Sequence, residues 1–180
     1  MEDHVIDCCS LINLYTGWGR LEELRDLRRT WHICQAVLDE VEYTREYEKN
    51  GLLILVPLDI SALTRSGLLL EVRPETDREL EDYVTFASEV DDGEAQELAI
   101  AKNRGYVFLS DDRRATQIAQ RPDVAVRTIT TANILQAWAK LDRKNEARLR
   151  QVLERIAVLA RFRPRFGSPD YEWWSGYFQA

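Results

Sequence analysis

Two short apolar runs, HVID at residues 4–7 and YVFLSDD at residues 106–112, each break off on acidic side chains. Runs this short, bounded by polar residues and separated by segments of helical period, read as strands buried on both faces. Alternation of such strands with helices implies parallel pairing through crossover helices. The predicted fold is an α/β three-layer arrangement, α/β/α, with a central, mainly parallel sheet and additional C-terminal helices. In open sheets of this kind ligands bind outside the carboxyl ends of the strands, where Asp7, Asp111 and Asp112 fall.

The 180 residues, 45% of them hydrophobic, suffice for one sizeable core. No run approaches the ~18 apolar residues of a membrane span, and the start, MEDHVIDCC, lacks a signal peptide's basic flank. A cytoplasmic location is expected. Cys8, Cys9 and Cys34 show neither CxxC spacing nor a paired histidine, so buried, reduced thiols are expected rather than disulfides or a zinc site.

Several elements carry their own punctuation. LEELRDLRR at residues 21–29 has helical spacing, and a second helix is expected over about residues 33–49. LLILVPL at residues 52–58 is a strand candidate ended or bent by Pro57. Thr76-x-x-Glu79 has capping-box spacing and opens a helix to about Val90. The next helix begins near Asp91 and stops at Gly105. Residues 113–120 should be helical and residues 124–129 a strand. Two helices are expected at 131–141 and 145–161, followed by an aromatic tail, SPDYEWWSGYFQA, with no helical period.

Four acids, Asp7, Glu40, Glu94 and Asp112, occupy places where apolar or neutral residues are usual. Carboxylates are costly to bury together unless a cation neutralises them, so the set reads as a metal site. Each has a competing explanation. Asp7 has the character of a helix cap. Glu40 shares a helical face with Ala36, Val37, Tyr43 and Tyr47, where an arginine could pair it as well as a metal. Glu94 has capping-box spacing from Asp91, yet it also lines up with Leu98 and Ala101, and Asp92 and Glu97 are neighbouring alternatives. Of Asp111 and Asp112, one can cap the following helix while the other binds metal.

The segments VIDCCSLINLY around Asp7, VLDEV around Glu40, DDGEAQELAIA around Glu94 and VFLSDDRRA around Asp112 resemble, in this order, the PIN-domain family of metal-dependent nucleases, especially its VapC-like toxins. The resemblance spans roughly residues 4–130. It implies endoribonuclease activity in an acidic pocket holding one or two Mg²⁺ or Mn²⁺ ions, with Asp7, Glu40, Glu94 and Asp112 as the catalytic and metal-binding set. Asp92 and Asp111 are alternative ligands. Ser110 matches the small hydroxyl residue two places before the last acid, and Asn13 a polar residue after the first. Many members carry Asp where Gly93-Glu94-Ala95 stands here. The nuclease domain is expected over residues 1–142, with residues 143–180 as an extension beyond the usual compact domain. An RNA substrate, a protein antitoxin and a homodimer are the implied partners, with no membrane.

Phosphodiester cleavage needs cations that neutralise the scissile phosphate and lower the pKa of an attacking water, and oxygen ligands suit Mg²⁺ or Mn²⁺. Products with 5′-phosphate and 3′-hydroxyl ends are expected. A net charge of -7 argues against phosphate binding, but residues 143–165 hold eight basic against two acidic side chains, a local +6. Arg161, Arg163 and Arg165 are candidate RNA or partner contacts, and Trp173, Trp174, Tyr177 and Phe178 could stack on bases. The competing reading is a solvated arginine face and aromatics docked on the core. Two other functions were weighed: a catalytically inactive RNA- or protein-binding module, which a missing acid would favour, and a phosphatase or receiver-like domain. Asp7-Cys8-Cys9 lacks the second acid of a phosphatase's Asp-x-Asp, and SDDRRA offers no receiver lysine.

Overall fold

The computed structural model describes residues 2–40 and 43–178. Strands β1 (Asp3–Ile6), β2 (Thr30–Cys34), β5 (Leu70–Val72), β6 (Val107–Leu109) and β7 (Thr128–Ile129) form one sheet, in the order β5-β2-β1-β6-β7. Every pairing in it is parallel. His4, Val5 and Ile6 are inaccessible to solvent, as a central strand flanked by β2 and β6 requires.

Helices cover both faces. Helices α1 (Cys8–Trp18), α7 (Thr131–Ala139) and α8 (Arg143–Arg155) pack on one another. Helix α5 (Asp92–Arg104) lies against β1, β2 and β6, with α4 (Asp77–Phe86) and α6 (Arg113–Ala119) beside it. This is the expected α/β/α sandwich with extra C-terminal helices. The capping box of α4 forms as read, Thr76 and Glu79 bonding reciprocally, and Gly105 ends α5 in the left-handed region at φ 71. A Cβ at Gly17 would lie 2.8 Å from both Ile156 and Val152, so this glycine sets how closely α1 approaches α8.

Several expectations fail. The helix predicted over residues 33–49 is a strand end (β2), a short helix α2 (Gln35–Glu40) and a strand β3 (Tyr43–Tyr47). Tyr43, Thr44 and Tyr47 are strand formers, and β3 pairs antiparallel with β4 (Leu53–Pro57) around a turn with Gly51 at φ 82. The LILVP strand therefore lies in a separate hairpin. One face of that hairpin leaves Tyr43, Tyr47, Leu53 and Leu55 exposed, while Thr44 on the other bonds Thr16. Second, residues 21–29 form a 3-10 helix, Glu22–Leu27, and residues 60–65 the short helix α3 (Ile60–Arg65). The helix expected to run to residue 161 changes at Ile156–Ala160 into a π-helical turn. Third, the aromatic tail contains helix α9 (Pro169–Gly176), capped by Ser168 with proline in its first turn. Trp174 is buried and Trp173 and Tyr177 half-buried against the core, the docked alternative for the aromatics. Cys34 is buried, but Cys8 is half-buried and Cys9 exposed; all three thiols are free.

Candidate functional site

Adjacent parallel strands deliver the first acids. Register pairs Ile6 with Leu109, and the Asp7 amide donates to the Leu109 carbonyl at 3.1 Å, so Asp7 and the Ser110–Asp112 turn leave the sheet side by side. Asp7 caps α1 by accepting from the Ser10 amide at 2.6 Å. Capping and site-building coincide in this residue: one oxygen holds the helix, while Asp7 Oδ2 is buried with no hydrogen-bond partner. Asp112 caps α6 in the same way, accepting from the Ala115 amide at 2.8 Å, and its own amide donates to Ser110 Oγ at 3.0 Å.

The two neighbouring aspartates divide as their opposite directions require. Asp111 is filled by donors: Asn13 Nδ2 at 3.1 Å, Ser10 Oγ at 3.3 Å, the Thr131 amide at 3.1 Å and the Thr131 hydroxyl. With that many donors it ties α1 to α7 and has little capacity left for an ion. Asn13, a site candidate from sequence, serves this bracing network. Asp92 is likewise engaged, by the Tyr83 hydroxyl and by Gln96 Nε2 at 3.3 Å.

Helix α5 supplies the other wall. Its cap is Asp91, which accepts from the Glu94 amide at 3.3 Å, and Glu94 points half-buried into a small pocket. Glu97, one turn on, is wholly buried, and neither carboxylate oxygen has a partner. Glu97 entered the sequence reading only as an alternative to Glu94; the three-residue spacing that puts both on one helical face was the available signal. Glu40 stands at the end of α2, exposed rather than on an inward helical face, since Tyr43 and Tyr47 belong to β3. Its carboxylate nevertheless reaches the pocket: a Cβ on Gly93 would lie 3.6 Å from Glu40 Oε2.

The pocket holds about 80 Å³ and is lined by Asp7, Cys9, Glu40, Asp91, Glu94 and Glu97, among others. At roughly 10–15 Å³ of such space per water, that is room for a cation and several waters. Larger clefts occur elsewhere, such as one of about 370 Å³ between α7, α8 and α9, but they lack such a group of acids.

Burial and mutual repulsion set the electrostatics. Burial pushes the Asp7 carboxyl up to about 7, against the pull of the nearby Ser110 and Ser10 hydroxyls and the Ser10 amide. Glu94 is pushed up to about 8 by burial and then by Asp112, Asp91 and Asp7. Glu97 rises well above the ordinary range through burial, then Asp7 and Glu94; Glu40 rises through burial, then Asp91 and Asp92. The acids thus feel one another across the pocket. Among the described residues, no three carboxylate, thiol or imidazole side chains converge tightly enough to meet at one ion. The donor chemistry nonetheless fits a hard divalent cation: Asp7 Oδ2 and both Glu97 oxygens are buried and unpartnered, and such atoms require a proton or a positive charge.

Of the basic candidates, Arg161, Arg163 and Arg165 are exposed and lie outside the pocket. Among the described residues no helix is long and apolar enough to cross a membrane. No curated protein matches the chain. A family model described as a PIN domain matches residues 3–163, most of the chain. PIN domains are generally nucleases and typically use divalent metal ions, and this chain belongs to the PIN-domain family.

Proposed function

We propose that the protein is a Mg²⁺- or Mn²⁺-dependent endoribonuclease and the toxin of a type II toxin–antitoxin pair. The observation that carries the nuclease reading is the set of unpartnered, buried oxygens on Asp7 and Glu97 facing a pocket shared with Glu94. Asp7, Glu94, Glu97 and Asp112 would hold the cation directly or through water, and Glu40 would stand at the pocket edge as a further ligand. When bound, the cation supplies charge neutralisation at the scissile phosphate and acidifies the attacking water.

The chain's own groups do the rest. Ser110 Oγ holds the Asp112 amide, and Asp111 fastens the first turn of α1 to α7 through Ser10, Asn13 and Thr131, so Asp7 and Asp112 stay fixed relative to each other. Glu40, exposed at the pocket edge, can orient the attacking water and accept its proton. The small volume, open to solvent on the Glu40 side, admits a phosphate oxygen. Cleavage would leave 5′-phosphate and 3′-hydroxyl ends.

The test is cleavage of mixed structured RNAs with Mg²⁺ or Mn²⁺, comparing wild type with Asp7→Asn and Asp112→Asn. Wild-type cleavage, abolished by EDTA and reduced by at least about tenfold in both variants, supports the reading. Equal activity in all three sinks the site, a 2′,3′-cyclic phosphate product contradicts the mechanism, and RNA binding without any cleavage would mark an inactive binding module. The toxin role predicts a small protein, encoded in a neighbouring overlapping reading frame, that co-purifies with this chain and blocks cleavage. A homodimer is the expected oligomer, read by sedimentation.

A further inference from the structure

Residues 161–166, RFRPRF, carry three arginines on one side of an irregular stretch. Burial alternates along it: Arg161, Arg163 and Arg165 are exposed, Phe162 is half-buried and Pro164 buried. Pro164 restricts Arg163 to extended backbone, because helical geometry before a proline clashes with its ring. Phe162 anchors the stretch edge-on to Trp174, with ring centroids 6.0 Å apart. Along the extended Arg163–Arg165 segment the two Cα atoms stand roughly 6–7 Å apart, and Arg161 precedes them in the left-handed region at φ 56. Among the described residues none of the three has an acidic partner, whereas Arg150 and Arg155 on the preceding helix pair with Glu154 and Glu46. Phe166 ends the row 81% exposed, with Tyr171 edge-on at 5.1 Å.

The row is tethered to the same end of the sheet as the acids. Asp170, five residues after Arg165 and so at most roughly 18 Å along the chain, accepts from Thr130 Oγ1 at 2.7 Å and Asn133 Nδ2 at 3.3 Å. The adjacent Thr131 bonds Asp111, beside Asp7. In a chain of net charge -7, a polyanion needs such a local cationic foothold to approach an acidic pocket. A run of exposed, unpaired cations ending in an exposed ring matches a strand that offers a row of phosphates and unstacked bases. A duplex hides its base faces from Phe166, and an acidic polypeptide offers it none.

We infer that Arg161, Arg163, Arg165 and Phe166 form a single-stranded RNA track leading to the acid pocket, a reading that rests on the proposed ribonuclease function. Binding of a fluorescent oligouridine of about twelve nucleotides, read by anisotropy in EDTA at several salt concentrations, separates the track from catalysis. The main variant combines Arg161→Asn, suited to the left-handed backbone at φ 56, with Arg163→Gln and Arg165→Gln. With three phosphate contacts at ~0.7 each, its slope of log affinity against log salt should be shallower by about 2, and affinity should drop at least about tenfold. Phe166→Ala should weaken binding without changing the slope, and a matched duplex should bind less tightly to wild type. Thermal melting by circular dichroism checks folding; if the triple variant does not fold, Arg163→Gln alone should lower the slope by about 0.7. Unchanged affinity and slope overturn the track, as does polyglutamate competing with RNA at equal charge, which would mark an acidic protein partner. Loss of binding in the variant together with no wild-type cleavage in Mg²⁺ or Mn²⁺ supports the track and removes the nuclease reading.

Discussion

Glu97 has two buried oxygens and no donor for either, the costliest position among the described residues for a carboxylate. Replacing it with glutamine removes the ionisable group while keeping the shape. Glu97→Gln should therefore melt at or above the wild-type temperature without cation. Under the proposed metal-dependent reading it should also lose the rise in melting temperature expected of wild type in Mn²⁺, with cleavage down at least about tenfold; differential scanning fluorimetry with and without Mn²⁺ reads the first two. Glu79 is the opposite case. Arg104 donates to both its oxygens, at 2.7 and 3.2 Å, and this pairing outweighs burial to hold its carboxyl at about 2. A folded-state value below the ordinary 4.5 means that the contribution to stability is complete above 4.5 and disappears as pH falls towards about 2. Urea midpoints of wild type and Glu79→Gln should accordingly differ most above pH 5 and converge in acid.

Among the elements, the contact of α1 with α8 has the least tolerance. The added methyl of Gly17→Ala would press on Ile156 and Val152 at 2.8 Å, and urea unfolding should show a loss of about 1–3 kcal/mol. Elements with local punctuation were legible in the sequence: β1 and β6 as apolar runs ending in acids, α4 by its capping box, α5 by Asp91 and Gly105. Elements that exist through distant partners were not. TWHIC becomes β2 because it lies between β1 and β5, and the Tyr43–Tyr47 strand forms because LILVP folds back on it. Helix α9 has no apolar stripe to reveal it; it is held by Asp170 on α7 and by Phe162 against Trp174. Among the candidate site residues, Asp7, Glu94 and the Asp111–Asp112 pair could be picked out by place and type. That Glu97 is the more deeply buried of two acids on one helical face depends on how α5 seats against β1, β2 and β6, which spacing alone does not encode.

For the whole molecule, the acid pocket is a region of repulsion that the proposed cation would relieve. A divalent ion that binds only the folded chain should stabilise it by about 2.7 kcal/mol at a hundred times its dissociation constant, with EDTA reversing the shift. The opposite end of the sheet responds to acid. Burial lowers the His4 imidazole from 6.5 to about 4, so the fold keeps it neutral while the unfolded chain takes up a proton. Its contribution is complete above pH 6.5 and is lost between 6.5 and about 4. Asp7 and Glu94, raised to about 7 and 8, act in the opposite sense over this range, so the His4 effect is read as a difference: in EDTA, wild type should lose melting temperature relative to His4→Gln as pH falls from 6.5 to about 4. A pocket of about 80 Å³ has a further consequence for substrate choice. Under the proposed ribonuclease reading it admits a phosphate oxygen and offers a base no walls, so the centre itself would be indifferent to nucleotide identity. Any preference for where an RNA is cut would then be written in surfaces away from the bond that breaks, and exchanging those surfaces should retarget cleavage without altering its chemistry.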